Sequence, residues 1–289
     1  MSKQPPSEGH PLDDVHYREY KILLKADRFT RPEEFENYWK IISKIAKDLG
    51  VKVTTNKDGF QRLVREVLFY DTEKFDLYNN SFILRKRTFY KDGWPEEKDE
   101  LTIKFRNSDV NTAAATDIMP RMSGESRIKF KEEVLPLKDT LGEMRVLYSH
   151  NCEVSSANVV LTKGLEDISS VFPALGGIDV SPKEKIELVN NVAVEEVQVD
   201  VGSFDFGHGY TSNATVAIWR NRASETSLVG EFAFQAKFKR YDEVHRKPRE
   251  LSEIFFKAAQ TEAAEWVLLG TTKTAIVYRL GSAVVSNHE

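Results

Sequence analysis

Several β-prone runs of this chain carry charges in ordered series two residues apart, and that pattern restricts the fold more than any other feature. Successive side chains of a strand point to opposite faces, so residues two apart share one face. Arg127, Lys129, Lys131 and Glu133 share a face, and Ile128 and Phe130 share the other. Glu231, Ala233, Gln235, Lys237 and Lys239 oppose Phe232, Phe234, Ala236 and Phe238. Tyr17, Glu19, Lys21, Leu23 and Lys25 line up in the first run. Arg85 aligns with Arg87, Thr102 with Lys104 and Arg106, and Glu196 with Gln198 and Asp200. A single charged face of this kind is ordinarily solvated. Here, though, the opposite faces are rich in Phe, and amphipathic helices elsewhere in the chain need a surface to cover.

Eight strands are predicted: His16–Leu24, Leu63–Tyr70, Ser81–Phe89, Glu100–Arg106, Arg127–Val134, Val192–Phe206, Ala214–Arg220 and Gly230–Lys239. Asp92-Gly93 marks a turn between the third and fourth. Thr30-Arg31-Pro32-Glu33 reads as a helix start, and Phe35, Tyr38, Trp39, Ile42, Ile45, Ala46 and Leu49 follow at helical spacing up to Gly50. Leu137–Tyr148, Leu161–Leu175 and Ser252–Leu269 also read as helices, and Asn107–Gly124 as a loop. Eight strands suffice to close a barrel. The expectation is an α+β fold: an antiparallel eight-stranded β tunnel or barrel with a charged interior and helices packed outside. Residues 15–280 form its single domain, between a disordered polar tail over 1–14 and a C-terminal tail over 281–289.

Cations held close in a partly dehydrated interior repel one another and are costly to desolvate. Interspersed carboxylates offset part of that cost, and a bound polyanion would offset the rest. Lys and Arg total 41 against 45 Asp and Glu, for a net charge of -4. A general nucleic-acid binder would be basic, so no nucleic-acid partner is expected. No apolar run approaches the ~18 residues of a membrane span, and residues 1–14 lack the apolar core of a secretory signal. A cytoplasmic protein with no membrane partner is the expectation. The single cysteine, Cys152, excludes an intramolecular disulfide.

The ordered series resembles the CYTH, or triphosphate tunnel metalloenzyme, superfamily. Tyr17-Arg18-Glu19-Tyr20-Lys21 is similar to that family's opening Glu-x-Glu-x-Lys. Tyr70-Asp71-Thr72, Leu77 and Leu84-Arg85-Lys86-Arg87 follow its aromatic-Asp-Thr and Leu-Arg-x-Arg segments. Thr102-Ile103-Lys104, the run Arg127–Glu133 and Glu231-Phe232-Ala233-Phe234-Gln235 complete the series. The resemblance spans Tyr17 to Lys239. It implies a triphosphate held by Arg85, Arg87, Lys104, Arg127 and Lys129. It implies Lys21 and Glu19 in catalysis, and Mg2+ or Mn2+ on Glu19, Glu231 and Glu133, with Asp200 in reserve. Two departures thin the carboxylate set: Tyr17 stands at the first Glu, and Ala233 and Gln235 follow Glu231.

No P-loop and no Gly-x-Ser-x-Gly occurs, and none of the six histidines has another at i+4. The expected function is a metal-dependent hydrolase of inorganic tripolyphosphate or an organic triphosphate. The alternatives are a degenerate, non-catalytic polyphosphate- or nucleotide-binding module, and a class IV adenylyl cyclase-like activity. The partner in each case is a triphosphate-containing small molecule or polyphosphate. The oligomeric state is not legible.

Overall fold

A computed structural model describes residues 14–58, 60–155, 161 and 164–281, so nearly all of both predicted tails, with His10 and His288, lies outside the described residues. The strands are β1 (Tyr17–Leu24), β2 (Lys52–Thr55), β3 (Arg62–Asp71), β4 (Phe82–Lys91), β5 (Trp94–Asn107), β6 (Ser126–Pro136), β7 (Met144–Ser155), β8 (Glu187–Leu188), β9 (Val194–Asp205), β10 (Thr211–Asn221), β11 (Ser227–Lys237) and β12 (Val267–Leu268). The helices are α1 (Glu34–Asp48), α2 (Asp76–Asn79), α3 (Val110–Ala115), α4 (Leu165–Val171), α5 (Arg246–Glu262) and α6 (Lys273–Tyr278).

Nine of the strands close a ring in the order β9-β10-β11-β1-β6-β7-β5-β4-β3, with β3 pairing back onto β9. The short β2, β8 and β12 attach to its rims. The barrel class is as expected, but it has nine strands rather than eight and is not wholly antiparallel. Strand β7 accounts for both differences. Leu137–Tyr148 was expected to be helical, yet Gly142 takes φ 79° in a turn and Met144–Ser155 returns as a strand between β6 and β5. Directions cannot alternate around a closed ring with an odd number of strands, so one neighbouring pair must be parallel. That pair is β1–β6, with Tyr17 opposite Lys131 and Glu19 opposite Glu133.

Other boundaries also moved. Helix α1 begins after Glu33, not at Thr30, because Arg31 and Pro32 lie in a preceding turn that accepts the Glu34 and Phe35 amides. Helix α5 begins at Arg246 and ends before Trp266. Between Ala214 and Thr215 the β9–β10 register shifts, which inserts one residue into β9. There Gly202 (φ 154°) approaches Thr54 so closely that a Cβ would lie 2.1 Å from its carbonyl oxygen. The bulge reverses which alternate residues face outward. Phe204 and Phe206 thereby join Val199 and Val201 in the core under the helices.

That core lies outside the barrel wall. Tyr20, Ile22, Phe232 and Phe234 from β1 and β11 meet Tyr38, Trp39 and Ile42 of α1 and Phe255 and Phe256 of α5. Tyr20 stacks on Phe234 with ring centroids 4.5 Å apart. On the opposite side, Leu84, Leu101, Ile103, Cys152 and Val154 pack beneath Leu165, Ile168 and Phe172. Burial pushes the Cys152 thiol up to about 12, so it is an inert core residue. No helix among the described residues is long and apolar enough to cross a membrane.

Candidate functional site

The inward face of every ring strand contributes to one cavity of about 390 Å³. Eleven Lys and Arg side chains and five carboxylates line it among the described residues, leaving six positive charges in excess within a chain of net charge -4. Register explains the convergence. Glu19 lies opposite Gln235 and Glu133, Lys21 opposite Ala233, Arg85 opposite Thr102, Arg87 opposite Glu100, and Arg65 opposite Glu196.

Two buried carboxylates organise these cations. Glu133 is 1% exposed and lies 2.8 Å from Lys21, 2.7 Å from Lys104 and 3.0 Å from Arg106. Burial alone would raise its carboxyl, but Arg106, Lys104 and Lys21 hold it well below the usual range. Glu196, also 1% exposed, accepts from Arg65 at 3.0 Å and from the Trp219 indole at 2.8 Å, with Arg87 at 3.7 Å. The same opposition of burial by cations lowers the Glu196 carboxyl. Glu19 pairs with Lys21 at 2.8 Å and Lys131 at 3.2 Å, and these ammoniums override the effect of burial on it too.

Carboxylates more than offset the burial of Lys21 and Arg87, but three other cations are less well compensated. Burial, then the neighbouring Arg106, drives Lys104 well below its ordinary value. Burial and the adjacent Arg87 bring Arg85 down to about 10. Lys129 is lowered by burial even though Glu153 lies 2.6 Å away. The Nε atoms of Arg65, Arg85 and Arg87 are buried with no protein acceptor. Such orphaned donors are costly, and charged ones more so. They would be satisfied by an anion with several oxygens, and the guanidinium fork suits phosphate.

One end of the cavity is lined by residues 135–138, Arg145 and residues 268–274. The last segment leads into α6, whose first residue, Lys273, reaches Glu231 at 2.7 Å and Glu196 at 3.4 Å and lies 4.6 Å above the Trp219 ring. Helix α6 is tethered from two directions. Asn190 donates to the Val277 and Tyr278 carbonyls, and the Tyr278 hydroxyl donates to Asp71 at 3.0 Å. Asp71 is buried and also accepts from the amides of Thr72, Leu77 and Tyr78. Burial pushes its carboxyl up to about 7 against the pull of those four donors. The Tyr70-Asp71-Thr72 segment is therefore scaffold: it caps α2 and anchors α6.

Of the residues singled out in the sequence, Glu19, Lys21, Arg85, Arg87, Lys104, Lys129, Glu133 and Glu231 all line the cavity. Arg127 does not. Its side chain is 65% exposed at the start of β6 and pairs with Glu153. Asp200 is exposed near the same rim. Sequence reasoning assigned no role to Arg65, Arg106, Lys131, Glu153, Glu196 or Lys273. For Arg106, Lys131 and Glu196 the alternation carried the signal. For Lys273 nothing did, because it sits in a segment without a motif.

The donor set can be tested against the divalent ion that the resemblance implies. Mg2+ needs one or two available carboxylates besides phosphates and water. Glu133 is engaged by three cations, Glu19 by two, and Glu231 by Lys273. No group of three or more Asp, Glu, His or Cys able to hold a metal ion occurs among the described residues. These residues do not fit a resident divalent ion.

The molecule thus has the architecture of a closed β-barrel with a cationic interior and helices outside. No family model matches the sequence, and no curated protein matches it. Solved structures are similar in outline only. A candidate adenylyl cyclase from Hippeastrum, described as having a dominant triphosphatase activity, is 11% identical over 94% of this chain and 99% of its own, with a TM-score of 0.45. A candidate adenylate cyclase from Bacillus halodurans is 11% identical over 90% and 95%, with a TM-score of 0.39. A Pyrococcus horikoshii protein is 11% identical over 91% and 100%, with a TM-score of 0.37.

Proposed function

We propose that the barrel holds a linear polyphosphate group, either inorganic tripolyphosphate or the triphosphate of an organic molecule. The observation that carries this reading is the excess of six positive charges in a largely buried cavity, with three arginine Nε donors left unmatched. A cavity of about 390 Å³ admits a small anion and not a folded nucleic acid. The role of Glu133 and Glu196 is to keep the cations in place when no anion is bound, because like charges at such spacing repel strongly at low dielectric.

Calorimetric titration with tripolyphosphate in EDTA tests this directly. Binding is expected, and it should weaken as salt rises, since charge pairs dominate it. A ligand present at 100 times its Kd would also add ~2.7 kcal/mol of stability. A protein that neither releases heat nor gains thermal stability with tripolyphosphate would sink the proposal.

Turnover of the held anion is the second reading. It is favoured by Lys21, whose ammonium is shared by Glu19 and Glu133 at the cavity wall. In a hydrolase a water would attack the terminal phosphorus and break its bridging P–O bond, releasing phosphate and the shortened chain. In a cyclase a hydroxyl of the substrate would attack the α-phosphorus and displace pyrophosphate. The cationic wall would stabilise the charge that develops on the leaving group. Release of phosphate from tripolyphosphate by the wild type, reduced at least ~100-fold in Glu19→Gln while binding survives, would establish it. No release from the wild type leaves a pure binder.

A further inference from the structure

The interior carboxylates are not equally committed. Glu133 is surrounded by three cations from two strands, Lys21 of β1 and Lys104 and Arg106 of β5, and Glu196 by two arginines and an indole. Glu231, which is 13% exposed, has Lys273 as its ion-pair partner, at 2.7 Å. Lys273 arrives from α6, outside the barrel ring, and its ammonium stands between Glu231 and Glu196. The face of Trp219 closes a further side of that position at 4.6 Å. Two carboxylates brought by different strands around one small point charge form the donor arrangement that a hard divalent cation takes, and here a side chain supplies the charge. The next inward position on β11, Ala233, carries no carboxylate and is a methyl group beside the cavity.

We infer that Lys273 is a built-in counter-cation that fills, between Glu231 and Glu196, the position a divalent metal ion would otherwise take, and that the cavity consequently takes uncomplexed polyphosphate and not its metal chelate. This rests on the polyphosphate reading only in its second half. The physical grounds are charge and geometry. A divalent ion entering beside the Lys273 ammonium would be repelled at contact distance, and the oxygens it would need, Glu231 Oε1 and Glu196 Oε1, already face that ammonium. Anchorage supports a fixed role. Helix α6 is tied down by Asn190 and by the Tyr278–Asp71 hydrogen bond, so Lys273 begins a held helix and not a loose tail. The Thr272 hydroxyl caps that helix by accepting the Ala275 amide at 3.1 Å, which orients the residue next to it.

Mn2+ binding to the ligand-free full chain, followed by the electron paramagnetic resonance signal of free Mn2+, tests the first half without polyphosphate. The wild type should show no saturable site below millimolar Mn2+. Lys273→Ala and Lys273→Gln should each gain one site at least tenfold tighter than any in the wild type, and adding Glu231→Gln should abolish that gain. Two variants are needed because Ala leaves a hole, whereas Gln keeps most of the volume and folds if volume alone matters. A wild-type site of micromolar affinity, or folded Lys273 variants that gain none, would overturn the inference. The second half is read by titrating tripolyphosphate with and without excess Mg2+. Apparent affinity should fall severalfold in Mg2+, as free anion is withdrawn, and an increase would overturn it. If tripolyphosphate binds under neither condition, the polyphosphate reading and the second half fail together, and the Mn2+ result alone decides the first.

Discussion

The two faces of β1 and β11 share one backbone, yet they live in different solvents. Outward, Tyr20, Phe232 and Phe234 are 1% exposed or less and pack on α1 and α5. Inward, on the alternate residues, Glu19, Lys21 and Glu231 are half-buried and paired by charge. The outer face stabilises the fold by removing apolar area from water, about 25 cal/mol per Å². Elsewhere on the inner wall burial holds Arg85, Lys104 and Lys129 below their ordinary pKa, which opposes folding, whereas Lys21 is held above its own against burial by Glu133 and Glu19. The wall is tolerated because carboxylates are placed among the cations. Stability thus belongs to one side of the wall and ligand recognition to the other, and substitutions on the two sides should separate these properties.

The largest effect is expected on the outer side. Phe234→Ala removes a ring stacked on Tyr20 and should cost ~4 kcal/mol in chemical denaturation, typical of a buried Phe. Its Kd for tripolyphosphate, measured under conditions where the variant is folded, should stay within about twofold. A large loss of affinity would show that the two faces are not independent.

Next in size is Glu133→Gln. It keeps the shape but strips the charge that faces Lys21, Lys104 and Arg106, a loss of ~3 kcal/mol for a broken buried network. Unlike the Phe234 loss, this one should be largely recovered when tripolyphosphate is added, because the anion supplies the missing charge. Equal melting shifts by ligand in both variants would contradict the division.

Inside and rim can then be compared. Arg87→Ala should weaken tripolyphosphate binding by ~1.5–3 kcal/mol, the value of a charge-assisted hydrogen bond. Arg127→Ala, at an exposed position outside the cavity lining, should change it by less than ~0.5 kcal/mol. Comparable losses in calorimetry would mean that the anion extends to the mouth of β6.

The smallest signal is a proton. Lys104 is held well below its ordinary value, chiefly by burial, so ligand-free protein carries it partly neutral at alkaline pH. A bound polyanion favours the ammonium, so binding should take up protons at pH values between the lowered pKa and about 10.4. The binding enthalpy there should vary with the ionisation enthalpy of the buffer, and Lys104→Met should remove most of that dependence.

Local order determined a good part of this. Alternation with period two placed Glu19, Lys21, Arg85, Arg87, Lys104, Lys129, Glu133 and Glu231 on inward faces, because the pleat makes parity a local property. The apolar spacing of α1 predicted its buried face through Tyr38, Trp39 and Ile42, since helical periodicity needs no knowledge of the partner. What the tertiary structure alone decided is what lies beyond parity and period. Strand β7 was invisible as a strand because Leu137–Tyr148 satisfies a helical spacing as well as an extended one, and pairing with both β5 and β6 settles the matter. The ninth strand then required the parallel β1–β6 contact, a consequence of ring closure that no local segment contains. The bulge at Gly202 turned Phe204 and Phe206 outward against a simple count. Parity was right for Arg127, but depth along the tunnel decided that its charge meets water. Lys273 owes its place to Asp71 and Asn190, each more than 80 residues away in sequence, and contacts closed over such loops leave no trace in local pattern.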